Sequence, residues 1–325
     1  MANNGNNKFS VVVPAYNRES VIVEALDSVK RQTHRPIEII IVDDGSTDTT
    51  KRTVQAWAEE NTEPELLLLK YIYQDNLGAG AARNRGIKEI TGDYVQFLDS
   101  DDRIHSERLE RLVAVFKETN ADFIQTGFES FDFYSGETLT KHYGRPKESQ
   151  IELALEGMLW ANTLRSALTI SLVEKIGPWD VKMTCFEDRE YMERAVVQAN
   201  NPVAIRDILA SARRGGSNRI SDRLRSYEGR HFRILCEERL AEGACNRTEI
   251  SKAAKRAFAS RVYALGFRSN ASGWPDHGKR CGELASSICV ELDSKGKLRR
   301  LVWKTGRIGG VVYSLLSKTR RVLGV

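Results

Sequence analysis

Acid is missing from the end of this 325-residue chain: no Asp or Glu follows Asp293, while nine Lys or Arg do. A run of about 18 uncharged apolar residues is also missing, so no membrane-spanning helix is expected. The polar start, Met-Ala-Asn-Asn-Gly-Asn-Asn-Lys, lacks the apolar core of a secretion signal. No two of the five cysteines (185, 236, 245, 281, 289) form a Cys-x-x-Cys pair. Their odd, scattered set reads as reduced thiols of a cytoplasmic protein. Likewise His34, His105, His142, His231 and His277 have no metal-ligand spacing and read as structural. What is present is 41% hydrophobic residues, enough for a sizeable core. The net charge of +5 divides into −7 for residues 1–220 and +12 for residues 221–325. That contrast predicts a first domain over 1–220 and a basic, mainly helical region over 221–325.

Strand and helix patterns alternate through the first domain. Strands are expected at Phe9–Val13, Ile37–Val42, Leu66–Tyr73 and Tyr94–Leu98, with Ile37–Val42 apolar throughout, as for a strand covered on both faces. Helical spacing fits Ser20–Lys30, Asp48–Ala58, Ala79–Ile90 and Glu107–Phe116. From 120 to 220 the pattern is mixed; Ile151–Trp160 and Glu187–Gln198 read as helices and Val203–Leu209 as a strand. The alternation predicts an α/β fold with a mostly parallel sheet flanked by helices. Ligands of such sheets sit beyond the carboxyl ends of the strands.

Three of those strand ends are polar: Pro14-Ala15-Tyr16-Asn17, Asp43-Asp44-Gly45-Ser46 and Asp99-Ser100-Asp101-Asp102. Carboxylates spaced i, i+2 after a strand can converge on one hard cation, which would bridge phosphate oxygens. A polar turn with Asp as a helix cap explains the same residues in isolation. A helix–loop–helix calcium site does not fit, because Ile104 stands where that loop needs Gly. Asp43 or Asp44 can accept from a base N–H or a ribose hydroxyl, and also suits an ordinary Asp-Gly turn. Tyr16 offers a ring to a nucleobase, or simple packing. The Gly78-Ala-Gly80-Ala-Ala-Arg83 run has Arg where a dinucleotide fingerprint needs its third Gly, and follows the third strand rather than the first. Its small residues more simply let a helix pack tightly on the sheet.

Together, in this order, the three strand ends resemble glycosyltransferase family 2, whose nucleotide-sugar-binding fold is called GT-A. Asp75–Gly86, Gly177-Pro178-Trp179-Asp180 and Phe186-Glu187-Asp188-Arg189-Glu190 extend the resemblance to about residues 8–220. It implies a metal-dependent, inverting transfer of one sugar from a nucleotide-diphosphate donor, with UDP the expected nucleotide. The acceptor would be a hydroxyl of a glycan or lipid-linked saccharide. By the same resemblance Pro14, Ala15, Tyr16, Asn17 and Glu19 line the nucleotide pocket, Asp43 holds the base, and Asp44 lies beside it. Arg83 is expected near the diphosphate or donor sugar, Asp99 at the ribose or the metal, Ser100 in the nucleotide-sugar site, and Asp101 with Asp99 on a Mn²⁺ or Mg²⁺ ion. Asp188 would be the catalytic base, with Glu187 and Trp179 on the acceptor side. Glu187-Asp188 opening a helix also fits dipole-favoured capping alone.

The chain departs from processive relatives in lacking Gln-x-x-Arg-Trp; the matching region, Ala212–Asn218, offers Arg213 and Arg214 but no His ligand. A non-catalytic sugar-nucleotide or glycan-binding protein is the alternative from another class. A sugar-nucleotide-forming nucleotidyltransferase is a second, and resembles Gly-rich, Lys-containing loops that Pro14–Glu19 lacks. Residues 295–325 mix aliphatic, aromatic and basic residues, as a segment lying on an anionic membrane surface does. A helix docked on the acidic domain explains them too. No nucleic-acid motif accompanies the charge, and no nucleic-acid partner is expected. The location expected is cytoplasmic, including the inner face of the membrane.

Overall fold

A continuous apolar run cannot be amphipathic, so it must be covered on both faces, and the core of the chain follows from that. The computed structural model describes residues 7–63, 65–132, 134–146, 149–159, 162–215, 226–245 and 250–288. Every residue of β2 (Ile37–Asp44) is buried, and β1 (Phe9–Ala15) pairs parallel to it from Phe9↔Ile37 to Ala15↔Asp43. On the other side of β2 lies β3 (Leu67–Gln74), also parallel; on the other side of β1 lies β4 (Tyr94–Phe97). The crossovers carry α1 (Ile22–Lys30), α2 (Thr50–Asn61) and α3 (Ala79–Ile87).

Beyond β4 come β5 (Arg103–Ile104), α4 (Arg108–Thr119), β6 (Phe123–Asp132) and β7 (Thr138–His142). After α5 (Gln150–Glu156) follow β8 (Ser166–Thr169), α6 (Ile170–Ile176), α7 (Glu187–Gln198) and β9 (Pro202–Arg214). The sheet runs β3-β2-β1-β4-β8-β6-β9-β5, with β7 beside β6. Its first half is parallel, as the alternation predicts. Its second half mixes directions: β8 is antiparallel to β4 and β6, and β6 is parallel to β9.

Among the described residues contacts divide the chain into two compact units, Met1–Glu148 with Ala161–Arg219, and Ser149–Trp160 with Ile220–Val325. The helical reading of Ile151–Trp160 is shortened to α5, which packs on α9 (Lys252–Ala271) in the second unit, where Arg261 donates to the Leu155 carbonyl at 2.9 Å. That unit also holds α8 (Tyr227–Cys245) and α10 (Pro275–Ile288). None of the described helices is long and apolar enough to cross a membrane. The basic segment 295–325 lies outside the described residues.

The small residues of α3 do press it onto the sheet. A Cβ on Gly86 would stand 2.4 Å from a Val12 methyl, and Ala82 is fully buried. This contact carries Arg83, on the same helix, to the carboxyl edge of the parallel strands.

Candidate active site

The loops after β1 and β2 are sewn to each other. Asn17, at φ +53°, donates its N–H to Ser46 Oγ at 2.9 Å and accepts from the Thr47 N–H at 2.8 Å through its side chain. The Arg18 N–H donates to Thr50 Oγ1 at 2.8 Å, and the Glu19 carboxylate accepts from the Thr49 N–H at 2.8 Å. Tyr16 is held out of this seam, 43% exposed, while Ala15 is buried and Pro14 partly so. Its ring is thus free to meet a base.

Asp43 and Asp44 are buried and hydrogen-bonded within the chain. Asp43 Oδ1 accepts from the Ser46 N–H at 2.8 Å and Oδ2 accepts from the Tyr71 hydroxyl. Burial, then the bond to Asp43, raises the Tyr71 pKa and keeps that hydroxyl a donor. Asp44 Oδ1 accepts from Gln74 at 2.7 Å and the Leu77 N–H at 2.9 Å; Oδ2 accepts from the Gly78 N–H at 2.7 Å. Asp44 therefore clasps the loop from β3 into α3, where Gly78 takes φ +92°. A glycine there avoids the strain a side chain would meet.

Across the edge, carboxylates crowd together. The Arg83 guanidinium is buried; it donates to Asp99 Oδ1 at 2.8 Å and stands 3.5 Å from Glu187 Oε1. Burial opposes its charge, but Asp99, Glu187 and Asp188 outweigh burial and hold its pKa above the usual. Asp99 Oδ2 also accepts from Thr163 Oγ1 at 3.4 Å. The Asp101 pKa is raised by burial and by Asp99, and that of Asp102 well above the ordinary by burial, Asp101 and Asp99. Arg213 ties this turn down: its N–H donates to Asp102 Oδ1 at 2.9 Å and its Nε to the Asp101 carbonyl at 3.0 Å. Ser100 is buried within the turn.

At the start of α7, burial and then Glu187 push the Asp188 carboxyl up to about 7, against the pull of Arg83. The helix's N-cap is Phe186, with no side-chain capping bond and with φ +63°. Left-handed backbone at a bulky residue is strained, and within the first turn Asp188 Oδ1 accepts from the Arg189 N–H at 2.7 Å, a bond that also draws its pKa down. Trp179, expected on the acceptor side, is 2% exposed. Its ring lies beneath Arg83, 4.6 Å from the guanidinium carbon, and stacks on Tyr191 with centroids 3.9 Å apart. Asn84 of α3 grips the Trp179 backbone through both N–H and carbonyl, at 2.8 and 2.9 Å. Trp179 thus supports Arg83 rather than presenting its face to solvent.

Among the described residues no three His, Cys, Asp or Glu gather into a closed metal cage. Asp99 and Asp101 supply two carboxylates in a region whose acids already repel one another. Such a pair fits a cation that completes its shell with phosphate oxygens and water. The motifs brought Asp99, Asp101, Arg83, Glu187 and Asp188 to one place, but they missed Thr163, Tyr71 and Gln74, which lie in no motif and meet the site only through the fold.

Residues 10–162 match the family model described as Glycosyl transferase family 2. Glycosyltransferase GlyA of Streptococcus pneumoniae is 38% identical over 129 residues, 40% of this chain and 18% of that protein. Uncharacterized glycosyltransferase YibD of Escherichia coli is 37% identical over 135 residues, 42% of this chain and 38% of that protein. The chain thus spans well under half the length of these relatives. Among solved structures, S. aureus TarS in complex with UDP-GlcNAc superposes with a TM-score of 0.72 at 19% identity, covering 98% of this chain and 92% of that one. Mannosyltransferase PcManGT from Pyrobaculum calidifontis, in complex with GDP-Man and Mn²⁺, gives 0.50 at 18% identity, covering 95% and 87%. At such identities the likeness speaks for the fold. Over residues 10–162 the chain is thus similar to glycosyltransferase family 2, and its fold is of the GT-A type.

Proposed function

We propose that the protein is an inverting glycosyltransferase that moves one sugar from a nucleoside-diphosphate donor, UDP-linked, to a hydroxyl of a glycan or lipid-linked saccharide. The observation that carries this reading is the bridge made by Arg83. One guanidinium spans Asp99, on the donor side, and Glu187, beside a carboxyl whose pKa is about 7.

Tyr16 stacks on the base and the seam of Asn17 and Glu19 shapes the pocket wall, with Asp43 and Asp44 holding that wall from behind. Asp188, as carboxylate, takes the proton of the acceptor hydroxyl. The freed oxygen forms its bond to the anomeric carbon as the bond from that carbon to the diphosphate oxygen breaks, on the opposite face. One such displacement inverts the carbon. A base with pKa near the working pH suits this proton transfer, and Glu187 orients the acceptor. Arg83 meets the charge that gathers on the departing diphosphate. Asp99 and Asp101 would hold a Mn²⁺ or Mg²⁺ ion, which supplies further neutralisation of the leaving group when bound.

The test is thermal stabilisation by UDP, GDP and their sugars with and without Mn²⁺, followed by nucleotide release on turnover. Selective stabilisation, with release abolished by chelation and restored by Mn²⁺ or Mg²⁺, is expected. Absence of both stabilisation and release for every donor would refute the reading. For residues 295–325 the proposed partner is an anionic membrane surface, on sequence grounds: each basic residue near the surface adds ~1 kcal/mol. Equal sedimentation of full-length and truncated chains with phosphatidylserine vesicles would rule this out.

A further inference from the structure

Behind Asp99 lies a second polar network that no motif announces. Gln96, on β4, and Arg108, the first residue of α4, are both 0% exposed. Arg108 Nε donates to Gln96 Oε1 at 2.9 Å, and its Nη1 to Thr126 Oγ1 at 2.7 Å. Gln96 Nε2 donates in turn to the Phe97 carbonyl at 2.7 Å and the Thr163 carbonyl at 3.0 Å. Thr163, itself buried, donates its hydroxyl to Asp99 Oδ2.

A buried guanidinium without a carboxylate partner is costly, and none of the described partners of Arg108 is an acid. Burial and the charge of Arg165 hold its pKa down at about 9. An apolar pair of the same volume would fill the space more cheaply. What the polar pair adds is direction. A guanidinium carries only donors, so it captures the Gln96 amide oxygen and turns the amide NH₂ toward the Thr163 carbonyl. The amide cannot flip without losing bonds on both sides. The Thr163 backbone is thereby fixed, and its hydroxyl meets the carboxylate oxygen of Asp99 that Arg83 does not.

We propose that Arg108 and Gln96 are positioning residues that, through Thr163, set the Asp99 carboxylate for the nucleotide-sugar donor. The proposal rests on the glycosyltransferase reading. It holds Asp99 from two sides: Arg83 on Oδ1, whose charge a diphosphate also attracts, and Thr163 on Oδ2, whose backbone the Gln96 amide ties down.

Gln96→Glu separates positioning from packing. The new carboxylate accepts from Arg108 and pairs its charge, but has no N–H for the Thr163 or Phe97 carbonyls. Two buried carbonyls lose their donor, so the melting temperature should fall; assayed well below it, donor KM and the UDP dissociation constant in Mn²⁺ should rise about threefold to tenfold, and kcat should change less. Thr163→Val, which removes only the hydroxyl, should reproduce the KM effect. The double variant should then fall short of the product of the two, because both cut one path. Arg108→Lys, which keeps a donor, should retain more affinity than Arg108→Met at matched melting temperature. Wild-type donor affinity in both Gln96→Glu and Thr163→Val would overturn the inference while leaving the function intact. Should Gln96→Glu fail to fold, Thr163→Val decides alone. A wild-type chain that binds no nucleoside diphosphate overturns both, and does so visibly.

Discussion

Two groups of acids share the carboxyl edge of the parallel strands, and they differ in how far the chain answers their charge. Around the loops after β1, β2 and β3, Glu19, Asp43, Asp44 and Asp48 all accept hydrogen bonds from the chain's own N–H and O–H groups. Around β4 and α7, Asp99, Asp101, Asp102, Glu187 and Asp188 face one another, answered by few cations. Three of their carboxyls are pushed upward by burial and by each other. The first group is held in place by the chain before any ligand arrives. The second is left short of positive charge, which a proton, a cation or an acceptor hydroxyl can supply. A wall that must keep its shape and a centre that must change its charge call for these two constructions.

Asp188→Asn breaks the comparison most sharply. The side chain keeps its size and loses its basicity, so transfer should fall by about 10²-fold or more while UDP affinity stays near wild type. Steady-state kinetics with calorimetry measure both. If that variant turns over normally while Glu187→Gln is dead, Glu187 is the base. If both remain active, the base lies elsewhere.

The pH dependence gives the second test, with opposite slopes for rate and stability. On the proposed mechanism the Asp188 carboxylate is the base, so kcat/KM should rise with pH and level off above about 7. In the unfolded chain an Asp titrates near ~3.9. The folded state therefore holds the Asp188 proton between those values, and this group's stabilising contribution is lost as pH rises through the window. Asp188→Asn should be the more heat-stable protein at pH 8, and the difference should vanish near pH 4. Equal pH–stability slopes for the two proteins would contradict the raised carboxyl.

The smallest effect on activity is expected in the finished wall. Asp44→Asn puts an NH₂ donor where Oδ2 accepts from the Gly78 N–H, so one buried backbone donor loses its acceptor and the protein should be destabilised by about 1–3 kcal/mol with kcat little changed. Denaturant unfolding and turnover are measured on the same preparation. Collapse of donor affinity at unchanged stability would instead make Asp44 a direct ligand and erase the distinction between the two groups.

How much of this the sequence disclosed follows the same division. The acids after Ile37–Val42 and Tyr94–Leu98 stand out because a buried apolar strand has no local use for them. The bounds of α7 are those the helical spacing predicts. Their partners do not stand out: Tyr71, Gln74, Leu77 and Gly78 reach Asp43 or Asp44 from about 30 residues away, and only strand pairing brings them there. β6 was not distinguishable because it touches strands on both edges and carries Gly127 where backbone crowds it, with His142 and Asp207 carbonyls within 3.0 Å of any Cβ. β8 has four residues, too short for a period. Trp179 was expected beside the acceptor; a pattern of residue types cannot tell which face of Arg83 a ring will take.

The left-handed Phe186 carries a consequence for the history of such a chain. Its backbone strain, of order 1–3 kcal/mol, would be relieved by a single change to glycine. The same substitution would free the backbone immediately before Glu187 and Asp188, loosening the aim of the helix that presents them. Position 186 is therefore where selection for durability and selection for turnover pull against each other. A sturdier descendant of this protein bearing glycine there would be expected to have surrendered some of its rate.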